Sequence, residues 1–393
     1  MSPPAFPAAL LAWAGLGVAL HVGVARFTYG VMLPALKRDL ALDYFGGGAL
    51  NAVHLLGYLA GTLAAAPLAR RLGMPLVSRS AHALVAAGAL LCALTPASAA
   101  GPVILAAGRL ATGLGAGTAI VAILVIAFAA VPVASRPMAS AIVWSGMGFA
   151  VVASGMAAGA LVETGFGWRA AFLIAAMLAG LLAFVFPPPG TPEERAAAEA
   201  APARFRSPGF FLVAAYLMFG AGYIAYSTFA GTRLAASGAP LAAASGMWIA
   251  FGASMIAGSA LSFAVLRFEG RRKLALIAAL LFGAIGAWVS WSDLAGAAVA
   301  GALLVGVGVS STPTIVSAYA RERCSAAEYP QAFSFATAAM GIGQLLGPLV
   351  AGALADRFGV DTVALFALAV YGLGAALAVL DTRTVSRPAA LAS

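Results

Sequence analysis

The chain is a succession of apolar stretches, each near the ~20 residues needed to cross a hydrocarbon layer. Short polar loops separate them. Broken at Pro, Gly and charge, the stretches run approximately 9–35, 46–69, 76–96, 102–131, 138–161, 169–186, 210–232, 241–266, 273–291, 295–318, 331–353 and 361–380. Residues are 63% hydrophobic and only 9% charged, against roughly 25% charged in a soluble domain. A water-soluble core could not absorb that much apolar surface, so lipid is the expected solvent. Twelve spans of this length read as an all-α polytopic membrane protein. The 46 glycines suit such a bundle, because small residues let transmembrane helices approach closely.

The loops orient the bundle. One side carries Arg70, Arg71, Arg79, Arg136, Arg195, Arg204, Arg206, Arg267, Arg271, Arg272, Lys273, Arg321, Arg323, Arg383 and Arg387. The other carries only Lys37, Arg38, Arg169, Arg233 and Arg357. Positive charge marks the cytoplasmic side, so both termini are expected in the cytoplasm of a bacterial inner membrane. The net charge of +9 needs no nucleic acid, since it sits in these loops and no basic run is interleaved with aromatics. MSPPAFPAALLAWAGLG has no Lys or Arg before its apolar run. It reads as the first helix rather than a signal peptide. Cys92 and Cys324 form neither a disulfide framework nor a metal spacing, and nothing calls for a cofactor. The Pro-rich, charged stretch PPPGTPEERAAAEAAPARFRSPG, 187–209, reads as a cytoplasmic linker. It joins a six-helix half at 1–186 to a second at 210–393 with a short tail.

The halves repeat. A shift of 193 residues carries Gly113 and Gly115 onto Gly306 and Gly308, Pro137 onto Pro330, and Gly148 onto Gly341. It also brings GALVETGFG (159–167) over GALADRFG (352–359), with Glu163 opposite Asp356. A shift of 197 aligns span two with span eight, matching Gly61 to Gly258 and Gly73 to Gly270.

Two six-helix halves on a cytoplasmic linker resemble the major facilitator superfamily from end to end. RLATGLGAG (109–117) resembles its fourth-helix motif. SGMAAGAL (154–161) and GPLVAGAL (347–354) resemble its Gly-rich fifth- and eleventh-helix motif. LARRLG (68–73) resembles the loop between helices two and three, but Arg70 stands where that loop usually has Asp. The gating role of that Asp is therefore not carried over to this chain. ARFTYGVMLP (25–34) followed by LGYLAGTLAA (56–65) resembles the YbfB/YjiJ branch. The resemblance implies a secondary transporter whose halves rock about a site near the midplane. Helices 1, 4, 7 and 10 would line the cavity, 2, 5, 8 and 11 flank it, and 3, 6, 9 and 12 face lipid.

Two arginines lie inside spans. A charge at the helix centre costs about 2.5–3.5 kcal/mol on insertion scales, so Arg26 and Arg109 demand an explanation. Arg26 could anchor a carboxylate or phosphate bidentately, bond backbone carbonyls, or snorkel. Tyr29 at i+3 shares its face. His21, five residues earlier, lies roughly 140° round an α-helix. Arg109 could serve function, as a second anion contact or in proton coupling, or be a packing arginine bonded to carbonyls of helix one or two. Span two carries a polar stripe, Asn51, His54, Tyr58 and Thr62, at spacings that keep one face. The histidine pKa near 6.5 suits proton exchange, which makes His54 and His21 the proton-coupling candidates. His82 falls near the start of span three, close to headgroups. Tyr223, Tyr226, Ser227 and Thr228 on span seven, Trp248 on span eight, Ser310, Ser311, Thr312 and Thr314 on span ten, and Gln344 on span eleven are milder candidates. Tyr226 and Gln344 lead that group, although such hydroxyls often bond their own helix.

No Asp or Glu lies in the middle of a span. Glu163 and Asp356, at outer ends, would pair with Arg169 and Arg357 or cap helices. A proton would then be carried by histidine or by the substrate. The leading reading is a proton-linked, monomeric transporter of a small organic anion. An exporter of amphipathic drugs or metabolites is the alternative. A membrane enzyme or sensor comes third, since neither HExxH nor GxSxG occurs.

Overall fold

In the computed structural model, which describes residues 7–132, 135–163, 167–185, 207–266, 270–292, 294, 296–324 and 328–382, every regular element is helical. The N-terminal half comprises α1 (Ala8–Asp39), α2 (Tyr44–Leu72), α3 (Met74–Ala93), α4 (Gly101–Ala129), α5 (Arg136–Glu163) and α6 (Trp168–Phe184). The C-terminal half comprises α7 (Phe210–Ala236), α8 (Leu241–Leu266), α9 (Arg272–Ser290), α10 (Ala297–Arg321), α11 (Tyr329–Phe358) and α12 (Thr362–Leu380). Ten of the expected spans, together with α1, contain a helix long and apolar enough to cross a membrane, and α6 is the shorter one at 17 residues. That length is at the lower limit for crossing. Most of the expected linker, 187–206, lies outside the described residues.

Local chemistry sets the helix ends. Asp43 caps α2, its carboxylate accepting the Gly46 N–H at 2.6 Å, the usual service of an N-cap aspartate. Gly73 and Gly359 end α2 and α11 at φ +79° and +92°, a backbone region that costs glycine little. Pro75, Pro102 and Pro330 stand in first turns, where no amide hydrogen is needed.

The two halves repeat each other in three dimensions. α2 packs on α4 as α8 packs on α10, α3 on α4 as α9 on α10, α3 on α6 as α9 on α12, and α1 on α5 as α7 on α11. The sequence offsets recur in individual contacts. A Cβ on Gly113 would strike the His54 carbonyl, and one on Gly306 would strike the Phe251 carbonyl. His54 and Phe251 are 197 residues apart, the offset relating span two to span eight. Gly148 faces Ile256 and Gly341 faces Leu59, a reciprocal pair in which each half touches the other.

The loops divide the bundle into a basic end, where α1 begins, and a far end, where α1 stops. Inter-half contacts concentrate from mid-depth to the far end. Gly30 of α1 lies against the Ser227 carbonyl of α7, Gly48 of α2 against the Pro348 carbonyl of α11, and Gly155 of α5 against Trp248 and Ile249 of α8. The Asp356 carboxylate closes this end. Its two oxygens accept the Tyr44 and Phe45 N–H groups, each at 2.7 Å. It thereby caps α2 from the opposite half, which is the capping alternative expected for it. The Glu163 side chain lies outside the described residues. Arg169 turns to Asp39, at 3.8 Å, and to the Thr95 carbonyl, at 2.8 Å. At the basic end, Arg323 pairs with Asp381 at 2.6 Å and Arg272 with Glu322 at 3.0 Å. These pairs tie α9, α10 and the end of α12.

Gly30 meets a backbone carbonyl, which cannot rotate aside, so a larger residue there must push the halves apart. Gly30→Val is expected to cost about 1–3 kcal/mol, the usual cost of overpacking, seen as a lower Tm in detergent. Gly372→Ala, with open space around it, should leave Tm unchanged or raise it. Equal Tm values for Gly30→Val and wild type would contradict this packing.

Candidate functional site

The first helix is not α-helical throughout. Ala19–Phe27 forms a π-helix between two α-helical pieces. Gly23 allows it to press against Ala150 of α5. The i→i+5 pattern widens each turn by about one residue, and such segments recur at functional sites. The angle expected from an α-helix therefore needs correction: residues five apart, such as His21 and Arg26, come much closer to one face than an α-helix allows.

Arg26 leaves this π-segment towards the middle of the bundle and is 7% exposed. One terminal nitrogen donates to the Tyr223 hydroxyl of α7. Gln344 of α11 donates to the same oxygen from Nε2 at 2.8 Å. The rings of Tyr223, Phe27 and Tyr58 stand 5.4, 5.7 and 6.0 Å from the guanidinium carbon, within cation–π range. Arg26 Nε is buried without a hydrogen-bond partner, and none of the ion pairs among the described residues reaches Arg26. Arg26 thus crosses from the N-terminal half to the C-terminal half, held by aromatic faces and one hydroxyl instead of a carboxylate.

Arg109 is held quite differently. It is fully buried. Nη1 donates to the Ala25 carbonyl at 2.7 Å, Nε to the Leu50 carbonyl at 3.4 Å and Nη2 to Asn51 Oδ1 at 2.8 Å. Tyr29 covers its guanidinium at 4.4 Å, and the Tyr29 hydroxyl donates to the Gly47 carbonyl at 2.7 Å. Of the two readings of Arg109, the geometry is that of the packing arginine. Tyr29 accompanies Arg109 and not Arg26, contrary to the i+3 expectation, because the helix changes its winding at Thr28. Asn51 continues the chain, its Nδ2 donating to Thr228 Oγ1 across the halves at 2.8 Å.

His54 and Thr112 are 3.2 Å apart, and the Thr112 hydroxyl donates to the Arg109 carbonyl at 2.9 Å. That uses the hydroxyl's one proton, so Thr112 accepts from His54 Nδ1–H. Nε2 is left with a lone pair and no partner. His21 and His82 meet edge to face at 4.8 Å. His82 is fully buried and donates from Nδ1 to the Ser78 carbonyl at 2.7 Å, so its ring faces the bundle interior. The three histidines therefore belong to the interior of the N-terminal half.

The expected residues divide into groups. Arg26, Tyr58 and Gln344 come together. Arg109, Tyr29, Asn51 and His54 form an adjoining network. Tyr226 stands apart, bonded to Ser290 at 3.0 Å and packed on Trp291. Tyr223, the lesser candidate on the same span, is the hub. The repeat holds the signal for it, because an offset of 197 from Arg26 arrives at Tyr223, and the two touch across the pseudo-twofold.

Residues 18–381 match the family described as "Uncharacterised MFS-type transporter YbfB". The chain belongs to that family. It is a transporter, not an enzyme, and the resemblance drawn from residues 25–34 and 56–65 is borne out. Solved transporters share its fold. A bacterial homologue of the human lysosomal transporter Spinster, inward-facing and occupied, has 16% identity, 97% coverage of both chains and a TM-score of 0.73. A point mutant of the nucleoside transporter NupG has 14% identity over 94% of this chain and 98% of its own, TM-score 0.75. The human organic anion transporter MFSD10 has 16% identity over 96% of this chain and 100% of its own, TM-score 0.68. At such identities the likeness concerns the fold alone. No curated protein matches the sequence.

Arg109→Gln should behave as a core lesion. Two carbonyls and the Asn51 amide lose donors, and each buried polar group left unpaired costs about 1–3 kcal/mol. The expected outcome is a Tm several degrees lower. A variant with wild-type Tm would remove Arg109 from the scaffold.

Proposed function

We propose that the transporter carries a small organic anion across the bacterial cytoplasmic membrane by alternating access, together with a proton, and that Arg26 anchors the anion. The observation that carries this reading is the set of donors around Arg26. The Tyr223 oxygen already accepts from Arg26 and from Gln344, so its own O–H is free to donate. Arg26 keeps an unpartnered Nε, and no Asp or Glu occurs in the middle of any span. Donors gathered in low dielectric without a protein carboxylate favour a ligand that only accepts, and a carboxylate is such a group. Tyr58 flanks the anion, while Arg109, Tyr29 and Asn51 hold the helices that present Arg26. Closure of the far end, read as the periplasmic end, supports entry of the ligand from the cytoplasm in this state. Both six-helix halves contribute to the site, so one chain suffices and the protein acts as a monomer.

Arg26→Gln in proteoliposomes tests the anchor. A hydrogen-bonded charge contributes about 1.5–3 kcal/mol, so the apparent affinity for the anion should fall about tenfold to a hundredfold. Unchanged anion uptake would remove Arg26 from the site.

His54 is the proton carrier in this reading. It is buried next to the Arg109 network and holds a bare Nε2, and the spans have no central acid to do the work. His54→Gln should abolish the stimulation of uptake by an inward proton gradient while binding stays within about threefold. Stimulation that survives the change would assign the proton to the substrate instead. A second reading, export of amphipathic compounds, draws on the aromatic run Phe27, Phe251, Tyr226 and the Phe27–Tyr223–Phe219 contact. A resistance panel in an exporter-deficient host discriminates the two.

A further inference from the structure

We infer that the site is built for a single negative charge on an apolar body: a monocarboxylate, in preference to a dicarboxylate, a phosphate or a polyhydroxylated acid. This rests on the anion reading above and narrows it.

Positive charge is scarce at the site. Among all Lys and Arg, only Arg26 and Arg109 lie away from the ends of a span. Arg109 has each of its three nitrogens engaged, by the Ala25 and Leu50 carbonyls and by Asn51, and Tyr29 covers its face. It is fully buried, and withdrawing it would unpair α1 from α2. One guanidinium is left for the ligand. A second negative charge would enter the middle of the membrane with no free guanidinium to bind it, an unfavourable situation in low dielectric.

Acceptors are scarce as well. Three rings surround the Arg26 guanidinium, those of Tyr58, Tyr223 and Phe27. Behind them Phe219 and Phe251 continue the apolar wall. The polar groups that reach this point, Arg26, Tyr223 O–H and Gln344 Nε2, present donors, and the Gln344 amide oxygen and the Tyr58 hydroxyl oxygen are the few acceptors beside them. A ligand carrying several hydroxyls would bring donors of its own and find few acceptors, leaving them unpaired at a cost. Aliphatic or aromatic carbon loses nothing there. The carboxylate takes Arg26 and the Tyr223 proton, and the body lies against the rings.

Four ligands of comparable size test the inference on the purified full-length protein in detergent, by thermal shift and titration calorimetry. Cyclohexanecarboxylate should bind, and its stabilisation should be lost in Arg26→Gln. Cyclohexane-1,2-dicarboxylate and gluconate should bind at least tenfold more weakly, and cyclohexanemethylamine should not bind. If the dicarboxylate or gluconate binds as tightly as the monocarboxylate and depends on Arg26, the single-charge, apolar reading is overturned while the anion reading stands. If the amine binds and none of the carboxylates does, or if no carboxylate binds at all, both are overturned.

Discussion

Arg109 spends its three nitrogens on the carbonyls of Ala25 and Leu50 and on the Asn51 amide, and the position of three helices follows from that. It fixes α1 against α2 from its seat on α4. Through Asn51 and Thr228 the same network reaches α7, so the join between the halves begins at a buried cation. A guanidinium is suited to this task because its fork of donors answers several carbonyls at once and remains charged in any surroundings. In a bilayer, where unpaired polar groups are costly, such an arrangement is stable only when every donor-bearing atom is answered, and here every nitrogen is.

Arg26 is the counterpart, buried in the same region yet without that full set of partners. It sits on a π-helical segment, and such segments are frequent at functional sites. Its contacts are aromatic faces and a hydroxyl on the opposite half. The contrast between the two arginines gives the site its character. One is fully engaged by its own half, and the other keeps an unpartnered Nε beside a tyrosine whose oxygen already accepts twice. In the mechanism proposed above, an anion that entered would satisfy both and would draw α1, α7 and α11 together, coupling binding to the relation between the halves.

Much of this is legible in the sequence. The apolar spans mark the helices and the offsets mark the pseudo-symmetry, down to contacts such as Gly113 with His54 and Gly306 with Phe251. The presence of two intramembrane arginines is equally plain. Which of them is committed to the scaffold is not. That depends on carbonyls of other helices, and every residue has a carbonyl, so sequence carries no mark of it. The π-helix is hidden for a similar reason, since periodicity assumes one winding, and on that assumption Tyr29 falls beside Arg26 instead of Arg109. Tyr223 and Tyr226 are hard to separate because both are tyrosines on one span, three residues apart. Only the repeat distinguishes them. Asp356 looks like a partner for a neighbouring arginine or a cap, and the helix it caps is more than 300 residues away in sequence, with bonds of 2.7 Å to Tyr44 and Phe45.

The central claim is that Arg26 and Tyr223 together receive the anion. A cryo-electron microscopy structure of the transporter in nanodiscs, saturated with cyclohexanecarboxylate, tests it most directly. The predicted result is a carboxylate within about 3 Å of both the Arg26 guanidinium and the Tyr223 hydroxyl, with Arg109 unmoved on its carbonyls. A ligand bound elsewhere, or Arg26 turned onto backbone carbonyls with the ligand out of reach, would contradict it.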